Sequence, residues 1–251
     1  YRRAIESRRL VRAVPAATLT EHELCMTFAI GLDGRAPLPP FPALDRNEDG
    51  LFGAVLLTCD PGAVLGHLPW TVGHEPEDAR ATRFDVVFDQ VGRVGINDLI
   101  GGLVSLSRAE LDLRTPCAAF ESLGRSLIAW SEVPARELFE RISWLLARRL
   151  AQRLGRIDTL LRESRRAPPF WASDLERLAD TIRERAEEPE RALPMELVND
   201  HTPEVARALA IARVREHGEL LLHWPALLDA ARTLRERGVR LGEARLGEVR
   251  T

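Results

Sequence analysis

Residues 51–58 read Leu51-Phe52-Gly53-Ala54-Val55-Leu56-Leu57-Thr58, an apolar run with Asp49-Gly50 before it and Pro61-Gly62 after it. A short apolar run between turn signals is the pattern of a buried strand, so this stretch decides the reading of the first half of the chain. Leu24 to Ile30 and Phe84 to Phe88 repeat it, with Asp33-Gly34 as a further turn. Between these runs, Ala36 to Ala43 holds Pro37, Pro39, Pro40 and Pro42, which suits an extended loop because proline cannot donate to a ladder. The expectation is a mixed or β-rich region with Pro/Gly-rich loops over residues 1–115.

The period changes at Pro116. Across Pro134 to Arg166, Leu138, Ile142, Leu145, Leu146, Leu150, Leu154, Ile157 and Leu161 fall on one broad helical face, as one amphipathic helix or as two abutting ones with Gly155 the natural break. On the same wheel Arg153 lies inside the apolar face, where it would snorkel, form a buried pair or mark a helix break at Gly155. Ser173 with Glu176 three residues later forms a capping-box pattern for the next helix. Thr202-Pro203 predicts another start, Gly218 its end, and Pro225 to Arg237 a further helix. The expected fold class is α+β, with a mixed N-terminal half followed by a helical region over 116–251.

Composition removes whole chemistries. The Lys+Arg total of 35 is entirely arginine. Without lysine there is no Walker-type phosphate loop, no Schiff base and no Ser-x-x-Lys acylase. Arginine is always charged and prefers bidentate carboxylate or phosphate partners. A hydrophobic content of 45% over 251 residues suffices for a real core. No apolar run reaches the length needed to span a bilayer, and Cys25, Cys59 and Cys117 are scattered and odd in number, as reduced thiols are. A cytoplasmic protein without a membrane partner is expected, with a segment upstream of Tyr1 left open.

Asp45, Asn47, Asp49 and Gly50 reproduce the opening of an EF-hand calcium loop, whose alternating oxygens and glycine kink wrap the ion. Position 12 is Leu56 where a bidentate Glu belongs, so Asp45, Asn47 and Asp49 are metal-ligand candidates for a degenerate calcium-dependent module only. Asp89, Gly92 and Ile96 repeat the cadence, but Val91, Arg93 and Ile100 stand at ligand positions, and a strand, a turn and a helix start near Asn97 are expected there. His22, Cys59, His67 and His74 with nearby acids form the alternative, an enzyme site in the first half. No catalytic residue is selected by a nucleophile motif. The run Val91-Gly92-Arg93 followed by Ile96, with an arginine-ended helix much later, resembles the domain that accompanies McrB-type restriction machinery. That resemblance covers little of the chain and implies a prokaryotic nucleic-acid setting.

Charge segregation is the strongest functional signal. Residues 1–12 carry five arginines against Glu6, a net of +4, and residues 148–166 carry seven against Asp158 and Glu163, a net of +5. The whole chain is at −3, and residues 45–89 and 174–190 are strongly acidic. Arg2, Arg3, Arg8, Arg9, Arg148, Arg149, Arg156 and Arg166 are therefore the candidates for polyanion contact. Stacking aromatics are sparse, limited to Trp144 and the Phe170-Trp171 pair. The reading is a non-enzymatic subunit or adaptor of a larger prokaryotic assembly, docking to other protein subunits through its helical half. Nucleic acid is the candidate partner for its arginines, and no cofactor is expected beyond the calcium alternative.

Overall fold

The run that reads as a strand is a helix. The computed structural model describes residues 14–21, 30–43, 45–70, 84–163, 169–188 and 190–239, and places Leu51 to Thr58 within α1 (Glu48–Cys59). Residues 51–59 are all buried, so the helix has no polar face and no amphipathic period to announce it. A short apolar run bounded by turns cannot distinguish a buried strand from a fully buried helix. Burial on every side is what misleads here.

The α+β expectation is overturned with it: 69% of the described residues are helical and 4% are strand. Phe84 to Phe88 is also helical, in α2 (Phe84–Gln90), whereas Leu24 to Ile30 lies outside the described residues except for its last position. Among the described residues the one sheet has two strands, β1 (Thr18–Thr20) and β2 (Leu65–His67), paired antiparallel with Leu19 opposite Gly66. The proline-rich segment, 36–43, forms neither helix nor strand. It is pinned from two sides, by the Phe41 ring stacked on Phe52 at 4.0 Å and by Trp224 Nε1 donating to the Leu38 carbonyl at 2.7 Å.

The remaining helices are α3 (Ile96–Ser107), α4 (Pro116–Glu132), α5 (Ala135–Glu163), α6 (Pro169–Glu187), α7 (Met195–Val198) and α8 (Pro203–Glu236). Pro116 opens α4 at the position where a missing N–H costs nothing, and the Thr115 hydroxyl accepts from Ala118 N at 3.1 Å. One core draws on both halves of the sequence. Leu51 and Val55 of α1, Leu99 and Leu103 of α3, Phe120 and Leu127 of α4, Leu138 of α5 and Leu221 of α8 pack together in it. A second, smaller cluster joins Leu150 and Ile157 of α5 to Ala179 and Ile182 of α6.

Helix boundaries differ from the sequence expectation at Ser173, Gly218 and Pro225, and at Gly155 the single-helix alternative holds. Gly155 is interior to α5, exposed, with open space around it, so nothing breaks the helix there. Ser173 and Glu176 lie inside α6, which starts earlier, at Pro169. Gly218 and Pro225 are both interior to α8. Gly218 serves a packing purpose. A Cβ on Gly124 of α4 would meet the Gly218 carbonyl oxygen at 2.6 Å and Leu222 N at 2.5 Å, and one on Gly218 would meet the Gly124 carbonyl oxygen at 2.9 Å. The two helices touch backbone to backbone, and only glycine permits it.

His217 sits beside this crossing, buried, with Nε2 lacking a hydrogen-bond partner. Burial holds its pKa down to about 4, against the ordinary 6.5. The unfolded chain therefore takes up a proton that the folded chain refuses, so stability is full above about pH 6.5 and falls as pH drops toward 4. The loss should reach about 3 kcal/mol at pH 4. Denaturant titrations of His217→Gln should show this segment of the pH profile flattened, and an unchanged profile would contradict it. Gly124→Ala should cost about 3 kcal/mol, because the obstructing atoms are backbone and cannot yield. Gly155→Ala, exposed in α5, should instead stabilise by about 1 kcal/mol, and equal effects at the two glycines would refute the close crossing.

Candidate functional site

The calcium-like stretch is not wound as a calcium loop. Asp45 and Asn47 take positive φ of 69° and 65° ahead of α1, while Asp49 and Gly50 are already helical. The Asn47 amide donates to Asp98 Oδ1 at 2.7 Å, Asp98 Oδ2 accepts from Gly95 N at 3.0 Å, and Asn97 Nδ2 donates to the Arg46 carbonyl at 2.9 Å. Asp49 accepts from the N–H of its neighbour Gly50 at 2.8 Å. These groups staple residues 45–47 to the start of α3. Among the described residues no cluster of three or more His, Cys, Asp or Glu side chains is placed to hold a metal ion.

The stretch 91–95 ends in the expected helix start, with α3 beginning at Ile96 after Gly95. Its partner is the loop before α7. Val94 forms a parallel bridge with Pro194, and Met195 N donates to the Val94 carbonyl at 2.8 Å. Gly92 makes the turn with a φ of 77° while lying against Arg185. Together these loops border a cavity of about 410 Å³ that includes Arg93, Glu190 and Arg191.

Sequence reading missed Glu196. It lies beside Gly95, and its Oε2 is buried without a hydrogen-bond partner. Burial pushes its carboxyl pKa up, and the charges of Asp45 and Asp98 push it further. Nothing in the sequence around Glu196 marks it, since its neighbours arrive from two distant segments. Of the enzyme alternative, Cys59 ends α1 in the core with its thiol pushed up to about 12 by burial and by Asp60, and His67 is on β2. His22 and His74 lie outside the described residues.

The arginines divide by environment. In the first half of α5, Arg136 meets Glu140 at 2.9 Å and Arg141 meets Glu137 at 2.6 Å. Arg183 on α6 and Arg213 and Arg232 on α8 likewise meet acids on their own helices, and Arg215 reaches Glu132 on α4. In the second half of α5 this stops. Arg148, Arg149, Arg153 and Arg156 are exposed and meet no carboxylate among the described residues. Arg153 is thus on the outer surface, not in the apolar face, because the seam to α6 is formed by Leu150, Leu154, Ile157 and Leu161. Arg2, Arg3, Arg8, Arg9 and Arg166 lie outside the described residues.

Toward its N-terminal half α5 borders a shallow groove of about 700 Å³, shared with Arg191 and with Arg207 of α8. Trp144 lies in it with 60% of its surface exposed, and the Arg148 guanidinium stands 6.0 Å from its ring centroid. No helix of the described residues is long and apolar enough to cross a membrane. No family model matches this chain, and neither a curated protein nor a solved structure matches it. The resemblance to the McrB-associated domain gains no support from these comparisons.

Glu196→Gln is expected to raise the denaturant midpoint at pH 7, because an amide removes a partly desolvated charge and offers a donor to the nearby carboxylates. The gain should shrink toward acid pH, where the native carboxyl takes up its proton. A midpoint lowered at pH 7 would show that the carboxylate is needed where it stands.

Proposed function

We propose that this chain is a non-enzymatic subunit or adaptor that meets an anionic partner through the second half of α5. The observation that carries this reading is the change in arginine pairing along one helix. Where acids stand three or four residues away, the guanidinium charge is spent within the fold. At Arg148, Arg149, Arg153 and Arg156 it is not, which leaves a band of positive potential on a chain whose net charge is −3. Always-charged planar donors of this kind suit phosphate and carboxylate groups alike. The described thiols do not favour catalysis: burial raises the pKa of both Cys59 and Cys117, away from the thiolate that does chemistry.

Retention on immobilised heparin, measured against salt, tests the reading. Phosphate or sulfate contacts release counterions, so binding should weaken steeply with ionic strength. Replacing Arg148, Arg149, Arg153 and Arg156 by Gln should shallow the dependence by about one unit of slope per lost contact. Because Arg153 is exposed, it joins this set without threat to the helix. Wild-type protein that passes through heparin at low salt would overturn the proposal.

A further inference from the structure

Trp144 is a large apolar side chain left in water beside positive charge. Two other tryptophans show what this chain does with indoles it uses for packing. Trp130 donates its N–H to Ser107 Oγ at 3.1 Å and Trp224 donates to the Leu38 carbonyl at 2.7 Å, both partly sunk against the core. Trp144 has neither arrangement and stands in the groove with most of its surface open. Arg136, Arg191 and Arg207 border the same groove, and Arg207 is already paired with Glu190 at 3.5 Å and Glu204 at 3.9 Å. Glu140, the acid among its lining residues, is already held by Arg136 at 2.9 Å.

Arg191 is the least settled of these cations. Its Nε is buried without a hydrogen-bond partner, and its Nη1 reaches only the Glu188 carbonyl, at 3.4 Å. The buried Nε is out of a ligand's reach, but a guanidinium whose terminal nitrogens hold no carboxylate among the described residues can take an anionic oxygen there. The flat indole supplies the complementary requirement, a π-face on which a planar ring can stack, with the Arg148 guanidinium positioned to cover it. A ligand that carries a planar ring and an anionic oxygen on one flexible backbone satisfies both at once.

We propose that the groove over Trp144 is a subsite for single-stranded nucleic acid, with one base stacked on the indole and the adjoining phosphate on Arg191. This rests on the cationic face of α5 proposed above and names its partner. A duplex hides its base faces in its own stack and can use only the arginines. An acidic protein segment would likewise use the charges and leave the ring without a partner.

The test measures anisotropy of a labelled oligothymidylate single strand, a duplex of equal length and, in competition, polyglutamate of matched charge. Wild type, Trp144→Ala and Trp144→Phe are compared, each shown to fold by its helical circular dichroism. The single strand should bind the wild type several-fold tighter than the duplex. Trp144→Ala should lower single-strand affinity about 5- to 100-fold and leave duplex binding and heparin retention unchanged. Trp144→Phe should recover most of the loss, because its ring still stacks. Unchanged single-strand affinity in Trp144→Ala overturns the inference, as does polyglutamate competing as well as the single strand. With heparin retention intact, either result leaves the cationic adaptor standing. Absence of binding to heparin and to both nucleic acids removes the two proposals together.

Discussion

The contact between Gly124 and Gly218 sets the spacing of the molecule. Hydrophobic burial holds α4 and α8 together, with Phe120, Leu123 and Leu127 of one helix and Ala210, Val214 and Leu221 of the other in a single core. It is the missing pair of Cβ atoms that lets the backbones touch, each glycine lying against the carbonyl of the other. Ala206 and Ala210, small residues nearer the N-terminus of α8, have almost no exposed surface. Larger residues would move the helices apart and leave the interior of α1 and α3 underpacked, since dense cores tolerate little change in volume.

The candidate site inherits its position from that crossing. α5 starts three residues after α4 ends, so the direction in which α4 is held decides where Arg136 and Trp144 emerge. The N-terminal part of α8 carries Arg207 to the other side of the groove, and Arg215 of α8 binds Glu132 at the end of α4, 3.0 Å away. The exposed arginines farther along α5 stand on the stretch supported by α6 through Leu150 and Ile157. Core packing thus fixes the backbone from which the cations project, and the acids of neighbouring turns decide which cations remain available.

Much of the helical half is legible in sequence because its faces differ. The apolar period from Leu138 to Leu161, the change of period at Pro116 and the Thr202-Pro203 start correspond to α5, α4 and α8. Where reading fails, tertiary structure has changed the meaning of a residue. Leu51 to Thr58 lacks a polar side because every side is covered, and so imitates a strand. Gly218 looks like a helix terminator and is instead a contact point, its local cost outweighed by the packing it allows. The positive charge of 148–156 was visible, yet its freedom from acids, the exposure of Arg153 and the meeting of Glu196 with Gly95 depend on contacts that no local pattern encodes.

Nuclear Overhauser spectroscopy on protein labelled at glycine tests the central contact without perturbing it. The account predicts a strong cross-peak between the α-protons of Gly124 and Gly218, together with helical carbon shifts for Gly53 inside α1. Two assigned glycines with no cross-peak would contradict it, since α4 and α8 would then stand a side chain apart and the core built around their crossing would have to be different.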